Sequence, residues 1–311
     1  MDIFVFSHQE LPWVLRALRT IAEANDVLTE AERALLAAVA RLHGESLDID
    51  ALPIADEAEV ARHVQEPHRR KRLVQLALVT SLIEGEPADA TVRAVQTLAT
   101  ALDIDEAGIR VLRDVAAGHL RLARFDMIRR VRHFLTRDGG GLAGVWRLAA
   151  PLLGLGQDAA LSAKYRALAQ AAPGTLGREW HDHLTTHGFA LPGEKGSVGE
   201  AMIFHDVGHL LSGYDVDPQG EIQQAAFQAG FVRNDGFLFL LFGILQFHVG
   251  VKVTPVAEPE IGYFDVDKVM RAVARGAACK VDLSSSKEFD FWAVAHEPIE
   301  ALRARWTVPS L

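Results

Sequence analysis

Two histidines and two carboxylates are the residues of this chain whose spacing points most directly to chemistry. His205 and His209 lie four positions apart with Asp206 between them, and Glu221 follows twelve residues after His209. On an α-helix the first three side chains would fall within an arc of about 100°. Imidazole and carboxylate groups together form a mixed nitrogen and oxygen ligand set. We therefore predict that these four residues bind a divalent metal ion.

Local signals place the histidines on a helix. Ser197 followed three residues later by Glu200 has the pattern of a capping box, in which two side chains satisfy free amide groups at a helix N-terminus. Gly213 is a typical residue just beyond a helix C-terminus. These signals predict a helix over residues 198–212, with both histidines in its second half.

A second helix is expected to bring the remaining carboxylate to the histidines. Asp217 followed by Pro218 is typical of an N-cap residue and the first residue of a helix. Glu221 then lies in the first turn of this helix. A short turn between the two helices would fold the carboxylate back onto the imidazoles.

Two other metal motifs do not fit these residues. The protease helix H-E-x-x-H uses a glutamate as general base where this chain has Asp206, whose shorter side chain suits a metal ligand better. A di-iron bundle needs two E-x-x-H units, and no second one is present in the sequence. Zinc is the ion that we expect here, and iron and manganese remain open. The structural alternative is a polar cluster without a metal.

The motif resembles the hallmark of the fourth coenzyme Q (ubiquinone) biosynthesis protein family, which is H-D-x-x-H followed after eleven residues by E. The four residues named above match every fixed position. Residues 173–180 resemble the family's opening segment, and residues 301–306 resemble its C-terminal end. The resemblance covers roughly residues 150–311, whereas residues 223–227 and 231–235 depart from the family pattern.

The resemblance implies an all-α fold, a divalent metal at the motif and a polyprenyl lipid nearby. It also implies homodimers that lie at the periphery of the membrane and work with other quinone-biosynthesis proteins. The implied activity is oxidative decarboxylation with hydroxylation at C1 of a prenylated quinone precursor. A non-catalytic scaffold, which binds a prenyl lipid and carries a structural metal, is the alternative function.

One long apolar segment follows the predicted metal site. Residues 236–251 form a run of sixteen residues without a charged side chain, which is marginally short for a membrane span. The run is expected to form a buried core helix, or a helix that lines a tunnel for an isoprenoid tail. The residues that we expect to contact such a lipid are Phe237, Phe239, Leu241, Phe242 and Leu245.

The N-terminal part is expected to form a separate helical domain over residues 1–138, followed by a metal- and lipid-binding domain over residues 139–311. Two halves of residues 1–118 align at an offset of about sixty residues, and each half carries an acidic turn. This pattern resembles the TerB-like helical domain of the tellurite-resistance type. We expect a docking or scaffolding role, with cation binding by the acidic turns as an alternative.

A basic segment joins the two predicted domains. Residues 119–137 carry six arginines and one aspartate, and their apolar residues recur near helical spacing. Such a helix can lie on an anionic membrane surface. The alternative, which we favour from the sequence, is that its arginines pair with the acidic first domain. Its apolar residues, which would then close that bundle, are Leu120, Phe125, Ile128, Val131 and Leu135.

Composition limits the remaining possibilities. The net charge of −9 argues against general nucleic-acid binding, so no nucleic-acid partner is expected. The single cysteine, Cys279, suits a reducing cytoplasm. No secretion signal is evident at the N-terminus. We therefore expect a cytoplasmic protein that is peripheral to the inner face of the membrane.

Overall fold

Helices account for all the regular secondary structure of the described residues. The computed structural model describes residues 2–25, 27–136, 157–254 and 256–311. Within these ranges there is no β-strand, and the strand-like pairs are isolated bridges that join Thr175 to Pro298 and Val249 to Ile261. The predicted all-α class is confirmed.

The N-terminal half is a bundle of helices connected by short turns. Its second helix begins with a capping box, in which Thr29 and Glu32 bind each other's backbone amide groups. The first helix packs against the second, fourth and fifth, and leucine and valine side chains fill the space between them. The helices are α1 (Leu11–Ala22), α2 (Glu30–Leu42), α3 (Glu57–His63), α4 (Pro67–Leu82), α5 (Asp89–Ala101), α6 (Gly108–Ala116) and α7 (Leu120–Thr136).

The C-terminal half is built around one buried helix, α11. The described helices of this half are α8 (Ala159–Arg166), α9 (Leu176–Thr186), α10 (Ile203–Ser212), α11 (Pro218–Phe231), α12 (Phe237–Phe247), α13 (Val266–Ala278), α14 (Phe291–Val294) and α15 (Ile299–Arg305). Helix α11 packs against α10, α12 and α13. Its approach to α13 is close because Gly230 and Gly276 face the partner backbone, and a Cβ at Gly276 would overlap the carbonyl oxygen of Phe227.

The two halves share an interface. Helix α2 packs on α13, and α4 packs on α12. The buried His248 donates from Nε2 to the carbonyl oxygen of Ile83 at 2.8 Å. Arg41 and Asp267 form an exposed ion pair at 2.6 Å across the same interface. The predicted domain boundary at residues 138 and 139 lies outside the described residues and stays a prediction.

The basic segment forms helix α7, but it buries a different face from the one predicted. The buried positions are Ala123, Asp126, Met127, Arg130 and Phe134. Leu120, Phe125 and Ile128 are exposed, and Val131 and Leu135 are half-buried. The expectation that these apolar residues close the bundle is wrong for the three exposed side chains. Packing on α6 and α12 and the ion pair between Arg130 and Glu106 determine which side of α7 is buried.

The apolar run over residues 236–251 forms a helix that is shorter than the run itself. Helix α12 has eleven residues, and ten of them are buried. In the described part of the chain, no helix combines the length and the apolar character that crossing a membrane requires.

Candidate metal centre

Helix α10 carries both histidines but begins later than the sequence predicts. A 3₁₀ turn over Glu200–Met202 precedes it, and the α-helix starts at Ile203. The predicted start at residue 198 is wrong because the backbone turns at Gly199, which has a φ of 75°. Ser197 Oγ therefore accepts from the amide of Gly199 at 3.0 Å, and the predicted capping box does not form.

The C-terminus of α10 is fixed by a glycine and by two arginines. Gly213 adopts the left-handed conformation, with a φ of 78°, as predicted for the residue beyond this helix. Arg303 donates to the carbonyl oxygens of Leu210 and Leu211. Arg275 donates to the carbonyl oxygen of Ser212 at 2.9 Å. These bonds satisfy terminal carbonyl groups that a helix leaves without partners, and they hold the histidine helix in place.

Helix α11 begins as the sequence predicts. Asp217 is its N-cap and accepts from the amide of Gly220 at 2.6 Å, and Pro218 occupies the first turn. Glu221 lies in that first turn and faces α10. Gln224, one turn further on, donates from Nε2 to the carbonyl oxygen of His205 at 3.2 Å and so joins the two helices.

Three of the four predicted ligands converge. His205 Nε2 lies 3.2 Å from His209 Nε2 and 3.5 Å from Glu221 Oε2. His209 Nε2 lies 3.6 Å from Glu221 Oε1, and one ligand atom from each residue lies within 4.8 Å of the others. Two atoms bound to one tetrahedral ion at about 2.0–2.1 Å are roughly 3.3 Å apart. The separations therefore fit a single bound metal ion.

The outer nitrogen of each imidazole is held by the protein. His205 Nδ1 donates to Gln228 Oε1 at 2.9 Å, and His209 Nδ1 donates to the carbonyl oxygen of Tyr214 at 3.0 Å. A hydrogen bond at Nδ1 fixes the ring and leaves the Nε2 lone pair for a metal. Both Nε2 atoms point toward Glu221, an arrangement that could hold a metal ion.

The charges of the three groups depend on one another. Burial disfavours the charged form of His205, but the hydrogen bond and negative charge of Glu221 outweigh it and raise the pKa of this imidazole. For Glu221 burial acts to raise the pKa, and the two imidazoles outweigh it and lower the pKa. Glu221 is thus a carboxylate that faces positive charge on the imidazoles, and a cation could take the place of that charge.

Asp206 lies beside the three converging groups rather than among them. It lines a cavity that also borders His205, His209 and Glu221, but its carboxylate is not part of the cluster that these three residues form. Burial raises the pKa of Asp206 to about 6, against the opposite effect of His205 and His209. A carboxyl group with this pKa can exchange a proton near neutral pH, which a carboxylate with an ordinary pKa does poorly.

An apolar cavity of about 410 Å³ opens from the three converging side chains. Phe239 and Phe242 of the predicted lipid-contacting residues lie in its wall. Phe237, Leu241 and Leu245 are buried elsewhere in the core, the first two of them beside Gly108 of α6. Other apolar side chains of the wall include Val131, Leu184, Phe189, Val198, Met202, Val216, Phe247 and Val256. The volume lies within the usual range for small-molecule sites.

Two functional groups of this site were not predicted from the sequence. Gln228 lies seven residues after Glu221, a spacing that returns to the same helix face and was available as a signal. Its Nε2 is buried without a hydrogen-bond partner among the described residues, although its Oε1 binds His205. His183, on α9, lines the cavity with its ring centre 5.7 Å from that of His209. Burial and the nearby histidines lower the pKa of His183 to about 4.

Comparison of the sequence with protein-family models gives no match, and comparison with curated proteins gives none either. The interpretation of the site rests on its geometry. The resemblance to the fourth coenzyme Q biosynthesis family remains a prediction based on the motif residues.

Proposed function

We propose that the protein is a metal-dependent enzyme, or an essential enzyme partner, in the synthesis of ubiquinone or a related prenylquinone. The observation that carries this proposal is the convergence of His205, His209 and Glu221 at the wall of an apolar cavity. Such a cavity suits a ring with polar oxygens at the metal and an isoprenoid tail against apolar side chains. Zinc is the ion that we propose, with iron and manganese as alternatives.

The residues present fit a catalytic metal better than a structural one. Structural zinc sites have four protein ligands, whereas catalytic sites keep a position open for water or substrate. Among the described residues three ligands converge, and Asp206 stays beside them. A bound ion would act as a Lewis acid on a ring carboxylate or phenolate, or, if it is iron, could support oxygen chemistry.

The side chains around the metal-ligating atoms supply binding and proton transfer. Phe239 and Phe242 provide apolar contact surface for a tail. Asp206 lines the cavity beside the proposed ligands, so its carboxyl group is placed to give or take a proton at a ring oxygen. His183 is uncharged at neutral pH and could form a hydrogen bond with the ring of the bound quinone precursor. The proposed activity is the oxidative decarboxylation with hydroxylation at C1 that the motif resemblance implies. This reaction needs an oxidant such as molecular oxygen, which iron would activate at this site. With zinc, which has no redox chemistry, a partner enzyme would have to supply the oxidation.

The alternative function is a non-catalytic scaffold that binds a prenyl lipid. In that case Asp206, which is close to the cluster, would close the coordination shell as a fourth ligand. For either function we propose a cytoplasmic homodimer at the inner face of the membrane that works with other quinone-biosynthesis proteins.

The proposal is tested by measuring cellular quinone. A strain that lacks the gene is complemented with the wild-type chain, with His205→Ala, or with His68→Ala, an exposed histidine in the N-terminal half. We expect the wild type and His68→Ala to restore prenylquinone and His205→Ala to fail at equal protein level. Normal quinone in the His205→Ala strain would contradict the proposal.

A further inference from the structure

We propose that the outer face of helix α7 is a docking surface for an anionic lipid membrane. This surface combines exposed apolar side chains with exposed arginines on one side of a single helix. The outer face of α7 consists of Arg121, Leu122, Arg124, Phe125, Ile128 and Arg132.

The apolar residues of this face are unusually exposed. Phe125 is 68% exposed, Leu122 55% and Ile128 42%. All three lie within seven consecutive residues of one helix, so they form a single patch rather than scattered apolar side chains. A clustered apolar patch on a protein surface marks an interaction site.

The arginines of this face are free to meet an anionic partner. Arg129 lies at the edge of this face and is paired with Asp126. Arg130 lies on the inner side of the helix and is paired with Glu106. Arg121, Arg124 and Arg132 form no ion pair within the described ranges of the chain. The face is thus positive on a protein whose net charge is −9, and this local charge complements anionic lipid headgroups.

The inner side of α7 holds the helix in place. Met127 is fully buried, and Phe134 packs edge-on against Phe239 with ring centres 4.8 Å apart. Val131, between the inner and outer sides, lines the cavity beside the metal-ligating atoms. A membrane on the outer face would therefore lie next to the cavity. From that position a membrane could deliver a lipid substrate to the cavity. This delivery is the only step that rests on the proposed function.

A membrane fits the outer face better than another protein or a nucleic acid does. Apolar side chains interleaved with arginines on one helix are typical of helices that lie in the lipid headgroup region. A twofold dimer through this face would bring the arginines of both copies together. A nucleic acid would leave Phe125, Leu122 and Ile128 in water.

The experiment is flotation of the purified full-length protein with vesicles. One set contains phosphatidylcholine alone, and the other contains about one third phosphatidylglycerol. We expect binding to the anionic set alone, weakened when salt rises above about 0.1 M because screening shortens the range of the attraction. Removing the charge of one arginine is expected to weaken binding about fivefold, so the double reversal Arg121→Glu/Arg124→Glu should weaken it by more than that. Phe125→Ser should weaken binding about tenfold through lost apolar contact.

Matched controls use residues of the same types elsewhere on the surface. Arg93→Glu/Arg113→Glu reverses two exposed arginines of α5 and α6, and Ile54→Ser removes an exposed apolar side chain. These variants are expected to bind like the wild type, and so is His205→Ala, which separates membrane docking from the metal site. Circular dichroism confirms that each variant is folded.

Two results would overturn the membrane proposal. The first is a failure of the wild-type protein to float with anionic vesicles, or flotation of the α7 variants equal to that of the wild type. The other is a dimer in solution that Phe125→Ser converts to a monomer while vesicle binding is absent. In that case the outer face of α7 is a protein interface.

Discussion

At the residue scale, the position of each side chain around α10 explains which predicted ligands converge. His205 and His209 are separated by about 40° around the helix axis, and Asp206 lies about 60° beyond His209. The two histidines therefore face Glu221 together, while Asp206 lines the cavity outside the cluster. Residue types and spacing predicted that His205, His209 and Glu221 lie close together. They did not predict Asp206's offset, because a helical arc alone does not say which part of it the second helix faces.

Gln228 is expected to control metal affinity through His205. Gln228→Leu removes the acceptor at Nδ1 of His205, and loss of such an outer partner typically weakens metal binding about 10–100-fold. The measurement is a chelator competition with the purified protein. Gln228→Glu keeps an acceptor at the same place and should retain the affinity. An unchanged affinity in the folded leucine variant would show that Gln228 does not position His205.

At the scale of elements, the start of α11 at Asp217 and the end of α10 at Gly213 were predicted correctly, whereas the start of α10 was not. Asp217 and Pro218 start α11 as expected, since both residues act locally. The start of α10 was misjudged because the positive φ of Gly199 cannot be seen in a capping-box pattern. The inner face of α7 was also misjudged, because Arg130 is buried by its pairing with Glu106, a contact distant in sequence.

The crossing of α11 and α13 gives a prediction for stability. Gly276→Ala places a methyl group against the Phe227 carbonyl, so the helices must separate. We expect the free energy of unfolding to fall by about 1–3 kcal/mol. Urea denaturation measures the change, and Ala278→Ser, at an exposed position near the end of α13, is the control with little effect. Equal stability of Gly276→Ala and wild type would mean that the two helices are not in close contact.

At the scale of the whole molecule, the contact between the halves depends on an uncharged His248. Its Nε2 donates to the Ile83 carbonyl, and its Nδ1 accepts from the amide of Phe264 at 3.2 Å. Burial lowers the pKa of this imidazole below its usual value. Neither the contact nor the burial follows from sequence patterns, because Ile83 and His248 are far apart in the chain.

His248 should make stability depend on pH. The unfolded state takes up a proton at His248 as pH falls through about 6.5, whereas the folded state does so at a lower pH. Stability is therefore lost as pH falls below about 6.5. His248→Gln can make both hydrogen bonds but does not titrate, so its stability should fall less between about pH 7 and pH 5. Identical pH profiles from urea denaturation of the two proteins would refute this role.

The most direct test of the metal centre is elemental analysis of the purified protein by inductively coupled plasma mass spectrometry. Wild type, His205→Ala and His68→Ala are each exposed to zinc, iron or manganese and then desalted. We predict one ion per chain in the wild type and in His68→Ala, and loss of that ion in His205→Ala, because His205 supplies one of three converging ligands. Absence of metal from the folded wild-type protein after loading, or equal metal in His205→Ala, would contradict the assignment.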